Sequence, residues 1–224
     1  MYVSRRALIA STAILPILTL PGCAGTQGFS LVEAIRRLLS LSTQRAFASL
    51  NKENGFFDSQ VAKISLPDQF GGQQASSILG ALMSTGAFRN RLTRQVNRAA
   101  EKGAEAAAPV IADAVLKVGI PNAAAIIGGG GSGATDLLKS AMGNALIGAM
   151  LPGIDNGLKL FDNAIVTEAL RNVTGIDFAG LRSDITQKAS DGIYRAIARE
   201  EIAIRANPAA TNDPLIMGVF GLLK

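Results

Sequence analysis

Between Arg89 and Met150 the apolar residues recur at helical spacing, broken once by four consecutive glycines, Gly128 to Gly131. Such a pattern favours helix over any other element. A basic helix opens the stretch, with Leu92, Val96 and Ala99 on one face. An alanine-rich helix follows from Glu105 through Ala108, and Pro109 either kinks it or starts a new one at its first turn. Ile111, Ala114, Val115 and Val118 carry the apolar stripe to Gly119, and Pro121 opens a short helix through Ile127. Past the glycines, Leu137, Leu138, Ala141, Met142, Ala145, Leu146 and Ala149 make a helix apolar around much of its circumference, which places it centrally in a bundle. Gly143 and Gly148 would let neighbouring helices approach closely, and Pro152 should interrupt the element.

Helical signals continue on both sides. Ser30 and Glu33 form a Ser-x-x-Glu capping box ahead of a stripe through Leu31, Ile35, Leu38, Ser42, Ala46 and Leu50, and Asn54-Gly55 turns the chain. Phe56-Phe57 reads as a loop pinned to the core. Val61 to Leu66 is extended and stopped by Pro67, because the residue before a proline avoids the helical region; a lone arm of this kind has no evident strand partner. Helix is expected again over 68–82 and from Ile154 to about Val173. A long helix starts at Asp177 or Ser183, with Ile185, Ala189, Ile193, Ala196, Ile197 and Ile204 inward and Arg195, Arg199, Glu200, Glu201 and Arg205 outside. Asn207-Pro208 stops it. Asp213-Pro214 caps a last helix whose Leu215, Ile216, Val219, Phe220 and Leu223 pack back. With 224 residues, 48% hydrophobic and 5% aromatic, the composition suits one sizeable helical core. The expected fold is all-α, a single-domain helical bundle of about seven to nine helices over residues 30–224, with a short extended arm near residues 61–66.

Residues 1–22 carry the parts of an export signal: Arg5 and Arg6, an apolar run from Ala7 to Leu20, then Pro21-Gly22. The apolar run is about 14 residues, short of the roughly 20 that a spanning helix needs. Leu20-Pro21-Gly22-Cys23 resembles the bacterial lipobox, in which a lipid is attached to the thiol and cleavage leaves the cysteine first. Cys23 is the only cysteine in the chain. Pro21 departs from that motif's usual small residue. Ser4-Arg5-Arg6-Ala7-Leu8-Ile9 also resembles a twin-arginine signal. On this reading residues 23–29 are a lipid-anchored tether, Cys23 is the lipidation site, and the absence of an acidic residue at Ala24 points to the outer membrane rather than the inner.

Composition removes several chemistries. There is no histidine, hence no imidazole base, no histidine metal ligand and no histidine-containing triad. One cysteine can close no internal disulfide and build no thiolate cage. Gly128 to Thr135 has the glycine spacing of a phosphate-binding loop, but Ala134 stands where the lysine belongs and no strand precedes it, so a helix-to-helix turn is expected. No catalytic, cofactor-binding or metal-binding residue is assigned. The concentrated feature is basic: Arg91, Arg94, Arg98 and Lys102 are spaced three, four and four apart on one helix face, with Arg89 at the head. Such a stripe could contact anionic lipid or a partner, or pair with acidic residues of the fold itself such as Asp113 or Glu200. No aromatic residue interleaves with it, and the formal charge of +5 falls to +3 once Arg5 and Arg6 of the leader are set aside, so nucleic acid is not expected.

Several landmarks together resemble the bacterial family known as domain of unknown function 4197. They are Asn54-Gly55-Phe56-Phe57, Lys63-Ile64-Ser65-Leu66-Pro67, and Asn97-Arg98-Ala99-Ala100-Glu101 running on to Ala108-Pro109. Two more follow: the glycine turn into Ala134-Thr135-Asp136, and Glu200-Glu201 leading to Ile204-Arg205-Ala206-Asn207-Pro208-Ala209-Ala210. The resemblance implies an envelope-directed, all-helical protein and carries no activity and no catalytic residue. Three function classes follow: a non-catalytic lipoprotein acting as an envelope interaction module, a carrier of an apolar ligand or lipid within the bundle, and an enzyme. An enzyme would have to draw on an acid pair such as Asp113 and Asp136, or on Lys139 with Ser140 or Ser132.

Overall fold

A computed structural model of the chain describes residues 30–66, 84–159 and 178–221. The leader and tether expected over residues 1–29, the helices expected over 68–82 and beyond Lys159 to Val173, and Leu223 lie outside the described residues. Within them the fold is an all-α bundle of seven α-helices and one 3-10 turn, with no strand.

Helix α1, Leu31–Leu50, begins at Ser30, whose hydroxyl accepts the Glu33 N–H at 3.3 Å. Only this half of the expected capping box forms, because the Glu33 carboxylate turns to Arg36 at 3.2 Å instead. Ile35, Leu38, Leu39, Ala46 and Leu50 are buried, while Leu31 in the first turn is 40% exposed. Asn54 takes a left-handed φ of 60° to reverse the chain. Gly55 follows it, where a Cβ would lie 2.4 Å from the Leu50 carbonyl oxygen.

Helix α2, Gly86–Lys117, joins the basic and alanine-rich segments that the sequence suggests as separate, with Pro109 inside it. Proline removes one backbone donor and crowds the preceding turn; Pro109 is on the exposed side, where water can serve the freed carbonyl. Short α3, Ala123–Gly128, runs into the glycines, and Gly130 and Gly131 adopt φ values of 65° and 60° that side chains resist. Helix α4, Gly133–Met142, ends at Gly143, and α5, Ala145–Lys159, departs at 77° to it. The break therefore falls at Gly143, whose φ is 50°, and not at Pro152, which sits inside α5.

The α2–α5 pair is the most extensive helix contact, and glycine explains it. A Cβ on Gly153 would come within 2.1 Å of the Lys102 carbonyl oxygen, and one on Gly157 within 2.5 Å of the Ala99 Cα. Gly143 and Gly148, the close-approach positions expected from the sequence, face open space. Small residues permit close packing only on the side that meets a neighbour, and Gly153 and Gly157, one helical turn apart, occupy that side.

Helix α6, Phe178–Ala206, packs along α1 and α5; its Ile185, Ala189, Ile193, Ile197 and Ile204 are buried as their spacing predicts. After the 3-10 turn Pro208–Thr211, α7, Pro214–Phe220, closes over the end of α1. Its N-cap Asp213 accepts the N–H groups of Leu215 and Ile216 at 3.0 and 3.1 Å and binds the Arg37 guanidinium at 2.6 Å. The buried side chains of all seven helices form one continuous cluster.

Candidate functional site

The charged residues divide into a group committed to the interior and a group left on the surface. The interior group sits beneath the glycine turn. Glu201, expected on the exterior of the last long helix, is fully buried, and Arg205 beside it is only 9% exposed. A buried charge survives only when paired and hydrogen-bonded. The Glu201 carboxylate accepts the Ala134 N–H at 3.1 Å, the Thr135 N–H at 2.8 Å and the Thr135 hydroxyl at 2.6 Å. Arg205 donates to that carboxylate at 2.8 Å and to the carbonyls of Ile126 and Ile127 at 3.0 and 3.2 Å. One acid thus caps the start of α4 while one base caps the end of α3. The helix N-terminus that a phosphate-binding loop would offer to an anion is occupied by the protein's own carboxylate.

The surface group begins with the 61–66 arm. Ala62 and Ile64 are buried and Lys63 is exposed; Val61 and Ala62 belong to a turn, so the arm expected from Val61 is free of turn only over 63–66. Among the described residues no strand pairs with it. Asn97, a fully buried polar residue of α2, does so instead: its Oδ1 accepts the Ile64 N–H at 2.8 Å, and its Nδ2 donates to the Ile64 carbonyl at 2.9 Å and to the Thr93 carbonyl at 2.8 Å. To Ile64 the carboxamide presents one donor and one acceptor, as a neighbouring peptide unit would, while its second N–H goes to Thr93. Arg195 of α6 donates to the Val61 carbonyl at 2.7 Å, and Gly192 lets the arm lie against α6, where a Cβ would meet Ala62 at 3.1 Å.

This arm delivers Lys63 to the basic face of α2. Its ammonium lies 3.9 Å from the centroid of the Phe57 ring, and the Arg94 guanidinium lies 4.5 Å from the same centroid. Phe56 is buried as a pin, whereas half-buried Phe57 is held under two cations. An aromatic residue therefore does join the basic stripe, contrary to the reading of the helix alone, because it arrives from a loop 37 positions earlier than Arg94.

Arg91, Arg94, Arg98 and Lys102 are all exposed along one side of α2. Lys102 pairs with Glu105 at 2.7 Å; Arg91, Arg94 and Arg98 have no ion pair among the described residues. Arg89 is exposed in the first turn, but two residues before Arg91 it points about 200° away around the helix. Toward the far end of the stripe lies Glu101, which accepts the Phe56 N–H at 3.4 Å. Burial pushes its carboxyl above the ordinary value against the opposing pull of that hydrogen bond and Arg98.

Asp113, Asp136 and Lys139, considered for catalysis, pair elsewhere. Asp113 pairs with Lys117 at 2.8 Å, Asp136 accepts from the Ser132 hydroxyl at 3.3 Å, and Lys139 donates to Asp191 at 2.9 Å, not to a serine. Lys139 also lies 5.5 Å from the Tyr194 ring, whose hydroxyl is pushed to about 12 by burial and by Asp191. No group of three or more metal-ligating side chains occurs among the described residues. A half-open cleft of about 360 Å³ lies between the end of α1, residues 58–61 and α6; Ser49, Asp58, Gln60, Arg199 and Glu200 line it together with the apolar Ala46, Leu50, Val61 and Ala196. No single described helix is long and apolar enough to cross a membrane; α4 and α5 meet that measure only together, across their bend.

Of the residues that build this surface, Phe57, Lys63 and Asn97 carry no functional assignment from the sequence. Asn97 alone leaves a trace there, as a polar residue beside Val96, Ala99 and Ala100 on the buried arc of α2. A family model described as a protein of unknown function (DUF4197) matches residues 26–221. No curated protein and no solved structure matches the chain.

Proposed function

The chain belongs to the DUF4197 family, and from that premise we propose that it is an exported, lipid-anchored envelope protein that acts by docking and not by catalysis. The observation that carries this reading is the face of α2 on which Arg91, Arg94 and Arg98 stand exposed without an ion pair among the described residues. Exposed cations normally gain little from pairing, yet six ion pairs occur off α2 among the described residues, touching every other long helix, and on α2 itself Lys102 and Lys117 are paired. The leader ending in Leu20-Pro21-Gly22-Cys23 supports export and acylation of Cys23, with Ala24 favouring the outer membrane.

Metabolic labelling with a fatty-acid probe tests the anchor. Wild type should take up label and fractionate with outer membrane, and Cys23→Ala should do neither; equal labelling of the two removes the lipoprotein reading. The carrier reading has less support, since the described cleft mixes Ala46, Leu50, Val61 and Ala196 with a larger number of polar and charged residues, whereas sites for apolar ligands are lined predominantly by hydrophobic ones.

A further inference from the structure

We propose that the Arg91–Arg94–Arg98 side of α2, together with Lys63 and Phe57, is the surface on which the protein lies against the phosphate headgroups of an anionic phospholipid bilayer. The proposal deepens the docking reading above and rests on the lipid anchor it assigns.

Geometry limits the partner. From Cys23 to Ser30 the tether reaches at most about 25 Å, so the folded body stays within its own dimensions of the bilayer. The three arginines rise along α2 by about 4.5 and 6 Å, giving an open row and not a pocket. Guanidinium forks match phosphate oxygens, and a planar array of headgroups can meet all three at once. Phe57 adds an apolar body in the middle of the charges, held there by Lys63 and Arg94; aromatic rings gather at membrane–water interfaces for this combination of contacts. Single-stranded nucleic acid would need ring faces free for stacking, and the Phe57 ring is already engaged by two cations. The rigid arm also matters: Asn97 and Arg195 fix the backbone on both sides of Lys63, so the lysine is delivered to the face without ordering cost at docking.

The test uses the full-length acylated protein, purified in detergent from producing cells and reconstituted into phosphatidylcholine vesicles with or without phosphatidylglycerol. Flotation reads the anchor. Modification of arginine by phenylglyoxal and of lysine by an acetylating reagent, mapped by mass spectrometry, reads the face. Wild type should float with both vesicles, while Arg91, Arg94, Arg98 and Lys63 become slow to modify only with phosphatidylglycerol and recover at high salt. Arg45 and Arg199 should react equally in both. Each basic side chain beside an anionic surface strengthens attachment by about fivefold. Arg94→Gln should therefore weaken the protection of Arg91 and Lys63 by about that factor, and Arg94→Gln with Arg98→Gln should nearly abolish it while flotation persists. Flotation without phosphatidylglycerol-dependent protection overturns the docking face and spares the anchor. Equal protection in neutral vesicles overturns recognition by charge. Protection by envelope proteins but not by lipid overturns it in favour of an acidic protein partner. Failure to float with any vesicle overturns the anchor and the docking geometry together.

Discussion

Arg94 and Arg205 are both arginines on long helices, each lies near an aromatic ring, and the fold treats them oppositely. Arg205 is 9% exposed, 4.9 Å from the Phe220 centroid, paired with Glu201 and bonded to two carbonyls. Arg94 is exposed, without an ion pair among the described residues, and its ring contact is half-buried Phe57. In the first region charge is spent holding three chain segments together. In the second it is held in a fixed array facing outward. A buried charge must be satisfied by the protein itself, whereas an exposed one is served by water and can be exchanged for a partner.

If the inner region is structural, breaking it should produce the largest stability change. Glu201→Ala leaves Arg205 buried without its counter-ion and the start of α4 uncapped, for a loss of about 3–5 kcal/mol in urea denaturation; a loss below about 1 kcal/mol would show that the clamp is dispensable. Asn97→Ala comes next. It strips the Ile64 N–H and carbonyl of their partner and should cost roughly 2–3 kcal/mol by the same measurement. It should also loosen Lys63, which raises the acetylation rate at that position. For the α2–α5 contact, Gly153→Ala drives a Cβ into backbone and should destabilise by about 1–3 kcal/mol. Gly148→Ala, in open space on the same helix, should instead stabilise by about 0.5–1 kcal/mol. The reverse order of those two melting temperatures would misplace the packed side of α5.

A smaller effect is expected from pH. Burial pushes the Asp213 carboxyl up, but the Arg37 hydrogen bond and charge and the Ile216 and Leu215 N–H groups outweigh it and bring it below the ordinary value. Burial of Asp191 is outweighed in the same way by Lys139, Gln187 and Arg195. Both depressed groups contribute stability that is present above the unfolded carboxyl value near 3.9 and lost as pH falls through their folded values. Glu101, whose carboxyl is raised, acts in the opposite sense, losing stability as pH rises through the span between its unfolded and folded values. Asp213→Asn should flatten the acid limb of a stability-versus-pH curve and leave the shape above that limb unchanged. The smallest change belongs to the outer region: Arg91→Gln, Arg94→Gln and Arg98→Gln should each shift stability by no more than about 0.5 kcal/mol. A large loss in any of them would mean that the face is committed to the fold after all.

Local patterns were enough to specify much of this. The apolar spacing in α1 and α6, the Ser30 and Asp213 caps, the Asn54-Gly55 reversal and the glycine turn are all legible in sequence, because each depends on neighbours a few residues away. The resemblance of ordered landmarks to the DUF4197 family was likewise legible, and the family match over residues 26–221 establishes it.

What tertiary structure decided are the pairings between distant segments. Nothing near Glu201 announces that its carboxylate will cap a helix 66 residues earlier, so helical spacing alone puts on the outside a residue that the fold buries. Composition marks many glycines as small, but only the direction of the neighbouring helix selects Gly153 and Gly157 over Gly143 and Gly148. The extended arm finds its partner in one side-chain amide 33 positions away, and through it Lys63 and Phe57 reach the arginines of α2. Sequence period fixes which residues share a side of one helix; which sides meet depends on packing energies summed over the whole core, and that sum exists only in the folded chain.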